Sequence, residues 1–238
     1  KNIIGLSSIT NRDFHIGERF IKHFGDSVYV VCEIGVNHNG DELEAKTLIE
    51  SAKNSGADAI KLQVRSEDLY TRDSPCSFDL SAQIIHSEVN RVNLDYQQSK
   101  RLVDYAKKLG LDVIATPFDE TALSHVKEWN IDAIKIASCD LTNIPLIEKI
   151  SKENLPVIAS TGMSIESEVI EACSIFEKAN SNYCLLHCNS TYPSPEEDLN
   201  LNYIQRLNSI TKTVVGYSSH DGNSLPIICA VSLGARIL

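Results

Sequence analysis

Residues 56–64 read GADAIKLQV and residues 130–138 read NIDAIKIAS. The same tetrapeptide, DAIK, opens two apolar runs and puts a lysine at the centre of each. An ammonium group shut away from water must find a partner or lose its proton. Lys61 and Lys135 therefore each face something, and the fold must provide it.

Outward from these two runs, strand-like segments alternate with segments of helical period. The strands read YVVCEIG (29–35), DAIKLQV (58–64), DVIATPF (112–118), DAIKIAS (132–138), PVIASTG (156–162), YCLLHCN (183–189) and TVVGYSS (213–219). Continuous runs rich in Val and Ile mark strands covered on both faces, as in parallel sheets. Between them, Asp41 and Glu44 form a capping-box pattern ahead of a stripe of Ala45, Leu48, Ile49 and Ala52. Ser164 is expected to cap a helix whose stripe is Ile165, Val169, Ala172, Cys173 and Phe176. In SGADAIK, LGLDVIA and LGARIL a glycine stands where a left-handed residue would close a helix before the next strand. The last of these makes ARIL (235–238) the start of an eighth strand, inside which the sequence stops.

Seven strand–helix units and the start of an eighth predict an α/β fold, a TIM-type (β/α)8 barrel truncated within strand eight. The rival is a doubly wound open sheet, which focuses its ligands at one switch point. Here nearly every strand ends in a polar side chain: Glu33, Gln63, Thr116, Ser138, Ser160, Ser190, and Ser218 with His220. A barrel gathers all its strand ends around one mouth, so the barrel is preferred. Residues 1–28 fall outside the rhythm and are expected to form an N-terminal hairpin or cap, built on HIGERFI, with 29–238 as the catalytic barrel. Residues 65–94 read as a long connection of the kind that forms lids or binding loops.

The 32 acidic residues outnumber the 22 basic ones, for a net charge of −10. That balance argues against a nucleic-acid or acidic-membrane partner, which needs a basic footprint. No apolar run is long enough to span a bilayer and no export signal is read, so a cytoplasmic protein is expected. The seven cysteines show no CxxC pair and read as free, mostly buried thiols of a reducing compartment. In CLLHC (184–188), strand alternation separates His187 from the two cysteines, which argues against a metal site there.

Lys61 and Gln63 are two residues apart and share a strand face. With Lys135, Ser138, Ser160, Ser190 and Ser218 they make a set of cations and hydroxyls suited to phosphate or carboxylate. Two alternatives stay open: each lysine pairs with a glutamate, or one forms a Schiff base as in aldolases of this fold. Glu33 reads equally as a lysine's partner or as a general acid or base. His220 has no second histidine at metal-ligand spacing nearby; His38 and His187 are partners for it only if the fold brings them close.

CEIGVNHNGD, GADAIKLQ, ATPFDE, IKIAS, ASTGMS, LLHCNSTYPSP and GYSSH occur in this order, and together they closely resemble the sialic acid synthase family. That family comprises the N-acetylneuraminate synthases and their legionaminic-type relatives. The resemblance runs from about residue 13 to the end. It implies condensation of phosphoenolpyruvate with an N-acylated mannosamine-type sugar, assisted by manganese or magnesium, to a nine-carbon 2-keto acid and phosphate. It further implies that Lys61, Lys135, Ser138, Ser160, Ser190 and Ser218 hold phosphoenolpyruvate and that Glu33 works near the reacting carbons. Thr116 and Tyr192 match positions lining the substrate site, and His220 matches a metal ligand. Ser219 departs from the aspartate the family usually carries, so a carboxylate behind the metal histidine is expected to be missing. Family members continue into a second metal histidine, an eighth helix and an antifreeze-like domain reaching across a homodimer. On that basis this polypeptide alone is expected to bind metal weakly, to turn over little, and to leave sheet edges open beside strand eight. A Schiff-base lyase, or a non-catalytic barrel serving as a binding or assembly module, is the alternative function.

Overall fold

A turn at Gly17–Glu18 folds β1 (Phe14–Ile16) antiparallel onto β2 (Arg19–Ile21), with Phe14 opposite Ile21. Phe14, Ile16 and Ile21 are buried while His15 and its cross-strand partner Phe20 point out, the period-two pattern of a strand pair with one covered face. The hairpin is the one expected in HIGERFI. Asn182, just before a later strand, donates its side-chain amide to the His15 carbonyl at 2.8 Å. The structure, a computed structural model, describes residues 13–23, 25, 27–66, 80–211 and 213–238.

Packing divides the chain into two compact units, Val31–Lys135 and Lys1–Val30 with Ile136–Leu238. In the first, β3 (Val31–Gly35), β4 (Ala59–Val64), β5 (Asp112–Pro117) and β6 (Ala133–Ile136) pair in parallel and in chain order. Helices α1 (Glu42–Asn54), α2 (Leu80–Val92), α3 (Tyr96–Lys108) and α4 (Glu120–Val126) fill the connections. Asp41 caps α1 by accepting from the Leu43 and Glu44 amides, and Ala45, Ile49 and Ala52 form its buried face. Asp95 and Gln98 close a reciprocal capping box on α3, at 2.7 and 3.0 Å. Asp132 of the second DAIK ties the sheet to a helix, accepting from the Val113 amide at 2.6 Å and from Lys107 of α3.

In the second unit α5 (Ile144–Ile150), β7 (Val157–Ser160), α6 (Glu166–Lys178), β8 (Tyr183–Cys188), α7 (Tyr203–Thr211), β9 (Val215–Ser218) and α8 (Leu225–Ser232) continue the alternation. β7, β8 and β9 again pair in parallel and in chain order. Every residue of β7 and β8 is buried, as the continuous apolar runs predicted. Gly56, Gly110 and Gly234 follow α1, α3 and α8 with φ of +82°, +72° and +109°, the left-handed backbone that closes a helix. The fold class is therefore the α/β, TIM-type barrel class, with an N-terminal hairpin.

Five expectations need correction. α6 is not capped by Ser164: Ile165 occupies the cap, the Glu168 carboxylate accepts its amide at 2.8 Å, and Ser164 Oγ is buried without a partner among the described residues. Ile165 also leaves the predicted stripe, being 67% exposed. The stretch 65–94 is not all connection, because α2 occupies Leu80–Val92; residues 67–79 lie outside the described residues. Nor is ARIL left with open edges. Arg236 donates to the Val215 carbonyl and Tyr217 to Ile237, while Tyr29 donates to Arg236 and Leu238 to Tyr29, all at 2.8–2.9 Å. A strand start this short is satisfied on both sides because its few amides and carbonyls alternate in direction. Cys139, finally, is exposed, whereas Cys173, Cys184 and Cys188 are buried and free; Cys76 lies outside the described residues.

Candidate active site

Within Val31–Lys135 the strand ends bring ions together. The register of β3 and β4 sets Glu33 directly beside Lys61, and their side chains form an ion pair. Lys61 keeps 17% of its side chain exposed and Glu33 42%. Of the roles open to Glu33, partner of a lysine is the one the geometry displays. On β4, Gln63 follows Lys61 on the same face, and its side-chain oxygen accepts from Arg65. Gln63 is in register with Thr116 of β5. Thr116 is 2% exposed, and its hydroxyl has no hydrogen-bond partner among the described residues. Lys135 on β6 is 4% exposed.

Within Ile136–Leu238 the strand ends are neutral and crowded. Ser138, just past β6, makes a 3.0 Å hydrogen bond with the thiol of Cys188, the last residue of β8. Ser218, the last residue of β9, is in register with Cys188. Ser190 Oγ is buried and unpartnered among the described residues. Gly162, past β7, explains how so many groups fit. A Cβ there would lie 2.6 Å from Cys188 Sγ and 2.7 Å from Ser190 Oγ, closer than real side-chain carbons approach. Ser160, the last residue of β7, is 2% exposed. Ser138, Ser190 and Ser218 thus gather around Cys188, a residue that reads in the sequence only as a buried thiol. No local signal marks it; the register of β8 with β9 does.

His220 follows β9. Its Nδ1 lies 2.6 Å from the Asn189 carbonyl oxygen; a carbonyl only accepts, so Nδ1 carries a proton, and in the neutral tautomer this selects, Nε2 is the nitrogen with the lone pair. Tyr192, 73% exposed, stacks at a tilt on His220, with ring centroids 4.2 Å apart. Asp221, two residues past Ser219, accepts from Ser219 Oγ at 2.7 Å and from Tyr217 OH at 2.8 Å. His187 and His38 are engaged elsewhere. His187 Nε2 meets the Leu199 carbonyl at 2.7 Å, and burial holds its pKa below the usual imidazole range. His38 Nδ1 accepts from the Gly40 amide at 3.0 Å. Among the described residues no group of three or more His, Cys, Asp or Glu comes together in a way that could hold a metal.

A cavity of about 360 Å³ opens at the C-terminal ends of β7 and β8, lined by residues including Gly162, Cys188, Asn189, Ser190 and Asp198. A larger hollow, about 780 Å³, lies among residues 148–156 and 175–182, ahead of the same two strands. Size does not decide between them, because in this fold class loops after the strands carry the chemistry.

Residues 48–238 match the NeuB family. The chain belongs to that family. An uncharacterized protein of Methanocaldococcus jannaschii is 40% identical to it over 228 residues, covering 94% of this chain and 64% of that protein. The N,N'-diacetyllegionaminic acid synthase of Campylobacter jejuni is 35% identical over 218 residues, covering 88% of this chain and 65% of that enzyme. A crystal structure of an N-acetylneuraminic acid (sialic acid) synthetase from Leptospira borgpetersenii, in complex with citrate, matches this NeuB-family chain with a TM-score of 0.85 at 33% identity. It covers 95% of this chain and 76% of that one. The chain thus spans slightly less than two thirds of the length of these two curated relatives. Among the described residues no helix is long and apolar enough to cross a membrane.

Proposed function

We propose that this NeuB-family chain carries the barrel that condenses phosphoenolpyruvate with an N-acylated mannosamine-type sugar, forming a nine-carbon 2-keto acid and releasing phosphate. The enol carbon attacks the sugar aldehyde and forms the C–C bond. Water adds at C2, and phosphate leaves with cleavage of its C–O bond. Lys61 and Lys135 offset the charge of phosphate and carboxylate, with Ser138, Ser160, Ser190 and Ser218 donating to their oxygens. Gln63, Thr116 and Tyr192 contact the reactants, and Glu33 orients water or moves a proton near C2. Orienting two reactants in one pocket removes part of the barrier on entropic grounds.

The observation that supports this assignment is a pair of hydroxyls. Buried hydroxyls normally find partners, yet those of Thr116 and Ser190 have none among the described residues, and both stand at positions assigned to substrate. Relatives named as sialic and legionaminic acid synthases support the same substrate class.

A divalent ion, manganese or magnesium, fits His220 in one respect: the Asn189 carbonyl fixes the tautomer that leaves Nε2 as donor to a metal. His220 would supply one ligand, and the ion when bound would act as a Lewis acid on the sugar carbonyl. We place the protein in the cytoplasm, where free thiols persist, and as a homodimer.

Phosphate release from phosphoenolpyruvate, measured with manganese and a panel of N-acylated hexosamines, tests the reaction. Release that depends on the amino sugar is expected, and at a low rate for this polypeptide alone. A borohydride-trapped pyruvate adduct on Lys61 or Lys135, without sugar-dependent release, would replace the synthase by a Schiff-base lyase.

A further inference from the structure

Arg65 lies just past β4, two residues beyond Gln63 and four beyond Lys61, so strand alternation continues the face those two share. Its guanidinium carbon sits 4.1 Å from the centroid of the Phe118 ring, a cation–π stack. Its Nη2 donates to Gln63 Oε1. The backbone on either side is pinned. Phe118 donates to the Val64 carbonyl at 3.1 Å, Ser66 to Asp119 Oδ2 at 2.8 Å, and Asp119 Oδ1 also caps α4 through the Ala122 amide at 2.7 Å.

A guanidinium has donors only. The Gln63 atom that meets it must be the carbonyl oxygen, so the Gln63 amide nitrogen points away from Arg65 with both its protons to give. A free glutamine side chain has no such preference; turned over, it would offer an oxygen to an anion and repel it. Stacking on Phe118 restricts the planar fork, which an ammonium on a flexible stem would not match.

We propose that Arg65, held by Phe118, is a positioning residue that locks the Gln63 carboxamide with its NH2 group presented to the acidic oxygens of phosphoenolpyruvate. This rests on the synthase reading above and adds a residue to it. The role is specific: Arg65 acts on the ligand through Gln63, so its removal is felt only while Gln63 is present.

Calorimetric titration of the whole chain with phosphoenolpyruvate tests this, using Gln63→Ala, Arg65→Ala, the double substitution, Arg65→Lys and Gln63→Glu. Arg65→Ala and Gln63→Ala are each expected to weaken binding by about tenfold, the value of one hydrogen bond to a charged group. The double variant should bind no more weakly than Gln63→Ala alone. Arg65→Lys should recover little. Gln63→Glu keeps a partner for Arg65, so thermal unfolding should hold at or above that of the parent while binding falls by at least as much. Additive losses, or full recovery by lysine, would reduce Arg65 to a general positive charge and overturn the positioning role. Parent-like binding in Arg65→Ala would overturn it outright. No binding of phosphoenolpyruvate by the parent chain would instead sink the synthase reading and this inference with it.

Discussion

In residues 31–135 the strand ends carry long polar side chains that find one another: Lys61 with Glu33, Arg65 with Gln63. In residues 136–238 they carry short neutral groups, hydroxyls and a thiol, set around a glycine with no room for a methyl. The difference lies in reach. A lysine or arginine on its long flexible stem can satisfy itself over several ångströms, whereas a serine hydroxyl stays where its backbone puts it. Charge in the first region is adjustable; position in the second is fixed.

The largest effect is expected where a charge is buried. Lys135→Met keeps the volume and removes the ammonium at a site only 4% exposed. Sugar-dependent phosphate release should fall by about a hundredfold or more in a variant whose circular dichroism is unchanged. A folded variant retaining most of its rate would make Lys135 a packing residue and break the view of the first region as an anion site.

Fixed position in the second region is tested at Gly162. Gly162→Ala forces Cβ against Cys188 and Ser190 and should destabilise by about 1–3 kcal/mol, lowering Tm by about 2–10 °C. Gly222, where an added methyl carbon would meet nothing within 4 Å, is the control, and Gly222→Ala should leave Tm almost unchanged. Equal behaviour of the two would show that the strand ends relax as readily as the ionic ones.

A smaller effect sharpens the ionic side. Glu33→Gln releases Lys61 from its carboxylate, so phosphoenolpyruvate should bind about three- to fivefold more tightly, the scale of a half-exposed ion pair. Calorimetry decides it. Weaker binding would mean that Glu33 holds Lys61 in place for the ligand and does not compete with it.

The smallest effect concerns the exposed pairs of α1. Hydrogen bonds from Arg101 and Lys46 hold the Glu42 carboxyl at about 2, below its ordinary 4.5. The folded chain therefore binds this proton less readily than the unfolded one. The stabilisation is present above pH 4.5 and is lost as pH falls from there toward 2. Solvent screens the pair, so Glu42→Gln should change acid unfolding only slightly and leave stability near neutrality almost as it was. A large drop at pH 7 would mean that Glu42 does more than pair with its neighbours.

Much of this was legible in the sequence. Strand runs at 58–64 and 183–189 became β4 and β8 within a residue or two, because apolar continuity depends on burial alone. The Ser164 cap failed because one residue further on another capping arrangement, Ile165 with Glu168, satisfied the helix start instead, and local chemistry allowed both. Cys188 and Gly162 could not be read as site residues. Nothing in the sequence around either distinguishes them from ordinary buried positions.

Alternation, helix stops and the chemistry available at each strand end were determined by the sequence itself, since each depends on neighbours a few residues away. Which groups meet was left to tertiary structure. Glu33 reaches Lys61 across 28 residues, and Ser138 reaches Cys188 across 50. The register between strands sets those meetings, and register is a property of packed neighbours that no local pattern contains.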